Sequence, residues 1–130
     1  MTGGLLLALL LAAQPAAAAA ATSAELDIYR EILAATWWTS CCALFRGGVP
    51  HDIERRIERV AGALERRYGS AETAAVVTAA RAEFDEQFGT YDPVGRRLTP
   101  AQQQRERGNA WRWYDRRLDA LEARLGLAGR

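Results

Sequence analysis

The chain has no lysine, a single histidine (His51), and cysteine only as the adjacent pair Cys41-Cys42. The missing lysine has a bland cause in the arginine codons of a GC-rich genome. One histidine and one cysteine pair leave few ligands for a transition metal. Charge is absent from the first 24 residues. No apolar run approaches the ~20 residues that a membrane-spanning helix needs. A period-two alternation of apolar and polar residues is missing as well, which argues against strands, and no internal repeat is evident. The formal net charge of +1, from 17 basic and 16 acidic residues, argues against a dedicated nucleic-acid binder.

What is present begins with a leader. Leu5 to Ala13 is a leucine-rich core, Gln14-Pro15 breaks it, and an alanine tract follows. This is the pattern of a secretory signal with several Ala-x-Ala cleavage options, the cut falling near Ala21–Ser23. Residues 1–22 are read as the signal peptide and 23–130 as one domain of single-domain length. The apolar core is too short for a retained anchor, and no cysteine stands at the cleavage region to mark a lipoprotein. A periplasmic or secreted location follows, with no stable membrane span after cleavage. Every charged residue survives the cut.

The domain reads as all-α, a small antiparallel four-helix bundle with helices over about 24–45, 52–68, 71–88 and 100–125. Thr22-Ser23-Ala24-Glu25 offers a capping box for the first helix, whose expected inward face is Leu26, Tyr29, Leu33, Trp37 and Leu44. No charge occurs from Ile32 to Phe45, as expected of a helix buried on most sides. Gly47, Gly48 and Pro50 end it. The second helix carries the stripe Ile53, Ile57, Val60, Leu64 and Tyr68, with Arg55, Arg59 and Arg66 on one solvated flank. Gly69 reads as its stop and Ser70 as the N-cap of the third, so these two helices fold back antiparallel. The third places Thr73, Val77, Ala80, Phe84 and Phe88 together. Thr99-Pro100-Ala101-Gln102 is a capping box with proline at the first helical position. Beyond it Trp111, Tyr114, Leu118, Leu121 and Leu125 form a heptad-like seam.

Three features can carry chemistry. Adjacent cysteines lie ~3.8 Å apart at Cα, below the usual disulfide span of ~4.4–6.8 Å, so a bridge between Cys41 and Cys42 is disfavoured. Inert thiols packed as small hydrophobes, an intermolecular disulfide through Cys42 that makes a homodimer, and a redox or soft-metal site remain open. His51 joins that metal reading only together with Cys41 or Cys42, and otherwise is a surface histidine at a helix start. Glu83, Asp85, Glu86 and Asp92 form an acidic group whose expected counter-charges are Arg96, Arg97, Arg105 and Arg107. They lack the alternating acidic loop of a calcium site. The third feature is the Arg-aromatic segment. Arg105, Arg107, Arg112, Arg116 and Arg117 surround Trp111-Arg112-Trp113-Tyr114, and helical geometry turns Trp113 away from the seam, among Arg112, Arg116 and Arg117. Cation–π packing of ~0.5–1 kcal/mol holds such a ring at the surface. That surface suits an anionic partner, while a second packing face is the bland alternative. Trp37-Trp38 is read as core, with an interfacial role as the other option.

Leu98-Thr99-Pro100-Ala101-Gln102 resembles the LTxxQ motif of the Spy and CpxP type of small periplasmic helical proteins. The likeness covers five residues and the plan of signal peptide plus helices. It implies a helical envelope protein with chaperone-like or stress-response activity. The expected function is therefore an exported binding protein, with no enzymatic activity and no cofactor. It contacts a protein or anionic envelope component through the fourth helix. The alternative is a redox or soft-metal-handling protein built on Cys41-Cys42.

Overall fold

The computed structural model describes residues 24–41, 48–89 and 99–128. Four helices form there: α1 (Ala24–Cys41), α2 (His51–Tyr68), α3 (Ser70–Phe88) and α4 (Pro100–Arg124). No strand occurs among the described residues, and the four pack as the small all-α bundle expected from the sequence. The expected leader, the expected cap at Thr22-Ser23, Cys42, Leu44 and the expected turn region 90–98 lie outside the described residues.

Side-chain pairs fix the helix directions. Thr39 meets Tyr114 and Glu31 meets Arg117, so α1 and α4 are antiparallel. Glu25, at the start of α1, accepts a hydrogen bond from Tyr68 at the end of α2, so these two are antiparallel as well. Trp38 packs on Phe88 near the ends of α1 and α3, which run the same way. Chain order therefore alternates up and down. Around the bundle the helices follow the order α1, α3, α2, α4, with α1 and α2 approaching across the diagonal. The ends of α1 and α3 and the starts of α2 and α4 share one end of the molecule.

The central apolar cluster comes from three helices: Leu26, Tyr29 and Ile32 of α1, Ile53, Val60 and Leu64 of α2, and Tyr114, Leu118 and Leu121 of α4. Full burial of each such aliphatic side chain stabilises by about 1.5–3 kcal/mol. The alanine-rich α3 contributes Thr73, Ala80 and Phe84 to the interior, while Phe88 of the expected stripe is 45% exposed. On α1 Leu26 and Tyr29 are buried as expected, and beyond them the inward stripe moves by one position. Ile32 is fully buried, and Leu33 and Trp37 are only half-buried. The rotation follows from having three neighbours: α1 packs on α2, α3 and α4. No residue from Ile32 to Thr39 is exposed, so its uncharged stretch is a packed one.

Helix ends explain the connections. At α4 the capping box is formed in full: Thr99 Oγ1 accepts from Gln102 N at 3.2 Å and Gln102 Oε1 accepts from Thr99 N at 2.9 Å. Gly126, at φ 71°, ends α4 with Leu127 N donating to Glu122 O at 2.8 Å, the six-to-one closure of a Schellman turn. Ser70 is not the cap it was expected to be. It is the first helical residue of α3, and Gly69 alone serves both helices. Gly69 N donates to Glu65 O at 2.8 Å to close α2, and Gly69 O accepts from Thr73 N and Thr73 Oγ1 to open α3. A one-residue reversal demands an unusual backbone, and Gly69 lies at φ 92°, ψ 158°. Only glycine adopts that region cheaply.

No atom lies within 4 Å of a Cβ built at Gly69, so Gly69→Ala tests the backbone alone. It lowers stability by about 1–2 kcal/mol in chemical denaturation. At Gly62, inside α2, the nearest contact is the flexible tip of Arg66 at 3.4 Å. There Gly62→Ala raises stability by about 0.5–1 kcal/mol. Equal effects of the two substitutions would contradict the assignment of Gly69 to the turn.

Candidate functional site

The expected binding set lies on α4, where helical geometry divides it. Tyr114, Leu118 and Leu121 point inward and are fully buried. Arg105, Arg112 and Arg116 are separated by seven and four residues, fall within about 40° of one another on a helical wheel, and lie on the opposite, outward face. All three are exposed. Between them is Asn109, whose Oδ1 accepts from Arg112 Nη2 at 2.6 Å. None of the three forms an ion pair among the described residues. No residue from Pro100 to Trp113 is buried.

Trp113 and Arg117 are not part of that face. Trp113 is half-buried against the central cluster. Its ring meets Tyr114 edge-on at 5.3 Å and has Arg117 over it at 5.9 Å. Arg117 also pairs with Glu31 of α1 at 2.9 Å. Trp113 does not project to the surface among Arg112, Arg116 and Arg117; it is a packing residue, as the other reading had it, and keeps only Arg117 over its ring. Trp111, expected in the seam, is instead 41% exposed. It lies one turn before Asp115, level with the start of α2 and short of the part of α2 that would cover it.

The sequence reading missed the strongest polar constellation. Arg56 of α2 donates Nε to Glu122 Oε1 at 2.7 Å, Nη1 to Asp115 Oδ1 at 2.6 Å and Nη2 to Asp119 Oδ1 at 2.7 Å. Its side chain is 25% exposed and that of Glu122 is 12% exposed. Burial works against the guanidinium charge, but the bonds to Asp115, Glu122 and Asp119 outweigh it and raise the Arg56 pKa. The available signal was the spacing of Asp115, Asp119 and Glu122, four and then three residues apart, which puts three carboxylates on one flank of a helix. Arg59 and Arg67 extend the clamp by donating to the Leu127 and Arg124 carbonyls at 2.9 and 3.2 Å. Arginines read as a solvated flank of α2 thus include Arg59, which holds the turn that follows α4.

The remaining candidates separate. His51 is the exposed first residue of α2, with Glu54 at 3.6 Å from its Nδ1. Cys41 ends α1, and its side chain and all of Cys42 lie outside the described residues. Among the described residues no group of three or more metal-ligating side chains converges, and no helix is long and apolar enough to cross a membrane. Of the acidic group, Asp92 and its expected counter-charges Arg96 and Arg97 lie outside the described residues. Glu83 is held by Arg30 of α1 at 2.9 Å from Nε, and Asp85 by Arg81 one turn back at 3.2 Å. Trp37 meets Phe84 at a tilt and Trp38 meets it edge-on, at 5.8 and 5.1 Å between ring centres, and Arg81 lies 5.2 Å from the Trp37 and Phe84 rings. The LTxxQ-like segment does a structural job here, since Thr99 and Gln102 are the reciprocal halves of the cap. No family model matches the chain, and no curated protein or solved structure is significantly similar to it.

Buried titratable groups are tied to packing. The Tyr68 hydroxyl, followed by its own backbone N–H, holds the Glu25 carboxyl below the usual range. Burial pushes the Tyr114 phenol up to about 12. Its hydroxyl lies 3.1 Å from Thr39 Oγ1, which also bonds the carbonyls of Ala35 and Thr36. Burial likewise raises Tyr29, assisted by Glu65, and Tyr68, assisted by its bond to Glu25. A raised folded-state pKa means that the unfolded chain releases its proton first. The stabilisation is therefore complete below pH ~10 and is lost as pH rises from there toward about 12. For Tyr114 it amounts to about 2–3 kcal/mol. Tyr114→Phe should flatten the alkaline limb of the stability–pH curve. Parallel losses in wild type and variant would contradict the burial of this phenol.

Proposed function

We propose that the protein is an exported helical binding module of the cell envelope that holds an anionic partner on the outer face of α4. The carrying observation is the line of exposed arginines, Arg105, Arg112 and Arg116, none of which is neutralised by a carboxylate among the described residues. An arginine without a counter-charge presents a planar, multidentate donor suited to carboxylate, phosphate or sulfate groups. The arginines whose charge is used within the fold are different ones: Arg30, Arg56, Arg67, Arg81 and Arg117. Export rests on the leader at residues 1–22. The proposed activity is binding rather than catalysis, a reading that rests on the sequence, where no set of nucleophile, base and orienting group is evident.

Capture from an envelope extract on the immobilised processed chain tests the reading. Wild type and an Arg55→Gln/Arg66→Gln control, altered on exposed positions of α2, should retain the same anionic component. Arg105→Gln/Arg112→Gln/Arg116→Gln should lose it, with an unchanged circular dichroism spectrum. Retention by the triple variant would remove the α4 face from the account.

A further inference from the structure

Charge is segregated across the width of the bundle. The adjacent helices α1 and α3 carry seven carboxylates and two arginines, while α2 and α4, also adjacent, carry eleven arginines and eight carboxylates. One side of the molecule is thus acidic and the other basic. The basic side is made more so by Arg56. Asp115 stands three residues after Arg112 and Asp119 three after Arg116, the spacing at which a helical aspartate would neutralise its neighbour. Both aspartates instead accept from Arg56 on the α2 flank. The outward arginines are left without a paired carboxylate because an inward arginine bonds the nearby ones.

Resting on the α4 reading above, we infer that the anionic partner is a phosphate-bearing lipid bilayer, met side-on by the ridge Arg105–Arg112–Arg116. The three guanidinium groups rise from one convex helix over about 16 Å. A straight ridge matches a flat anionic surface, whereas enclosing a small anion needs a concave site. A protein partner of this charge calls for an apolar anchor at the centre of the contact. Between Arg105 and Arg116 the outward face offers Asn109, while the exposed Trp111 lies about 100° or more around the helix from the ridge. In this orientation the acidic α3, diagonal to α4, faces away from the lipid, and α1 and α2 flank the contact.

The test is co-sedimentation of the processed chain with vesicles of phosphatidylcholine alone or mixed with phosphatidylglycerol. Binding should appear only with phosphatidylglycerol and should fall as salt is raised, because these charges are solvent-exposed. Each arginine near an anionic surface contributes about fivefold, so Arg105→Gln/Arg112→Gln/Arg116→Gln should weaken partitioning by on the order of a hundredfold. The Arg55→Gln/Arg66→Gln control should change it far less. Equal binding to both vesicle types, or a triple variant that partitions like wild type, overturns the lipid assignment. The two levels fail differently. An acidic protein captured from envelope by wild type but not by the triple variant, without vesicle binding, sinks the bilayer and leaves the α4 face standing. Absence of any arginine-dependent partner sinks both.

Discussion

The arrangement of α2 and α4 depends on one guanidinium. Arg56 reaches across to three carboxylates spaced over two turns of α4 and lies 2.6–2.7 Å from each. Three acidic side chains on one flank of a helix repel one another unless a cation sits among them. A planar donor with five N–H groups satisfies all three at once, which a lysine ammonium does with less geometric fit. Glu122 is the deepest of the three and the one most dependent on this partner, because a buried carboxylate without a counter-charge costs several kcal/mol. The contact is thus a constraint on register. Sliding α4 by one turn along α2 would leave either a carboxylate or the guanidinium unmatched.

The apolar interior is consistent with that register. Leu118 and Leu121 lie between the carboxylates in sequence and bury fully against α1 and α2. Tyr114 enters one turn earlier and finds Thr39. At the far end Arg67 bonds the carbonyl of Arg124, the last residue of α4, and Arg59 that of Leu127 in the turn beyond it. The charge pattern outside follows from the same choice. With Asp115 and Asp119 turned toward α2, the outer face of α4 is left to Arg105, Arg112 and Arg116, so packing inside sets the electrostatics outside.

Much of the fold was legible from periodicity. The helix count, the α4 cap and the inward residues of α2 and α4 follow from apolar spacing and from Thr99-Pro100-Ala101-Gln102. Failures occurred where the answer depends on which neighbour covers a flank. Trp111 and Trp113 exchanged roles because a wheel gives angles and cannot tell where an adjacent helix begins. The stripe on α1 shifted by one position for a related reason, since a helix with three neighbours has no single inward direction. Ser70 lost its cap role to Gly69, whose backbone joins two helices without a spare residue. Of the binding set, Arg105, Arg112 and Arg116 came together on one face, and Arg117 and Trp113 were drawn into the contact with α1. Arg56 was invisible from its own surroundings, a run of alternating charges on α2. It becomes recognisable only when the Asp115, Asp119 and Glu122 ladder is read as needing a partner.

A double-mutant cycle on Arg56→Ala and Glu122→Ala, read by chemical denaturation, addresses the register claim most directly. A coupling free energy of about 2 kcal/mol is expected for a partly buried, charge-assisted pair. Additive effects, with coupling below about 0.5 kcal/mol, would mean that α4 is held by its apolar seam alone and that Arg56 is a bystander.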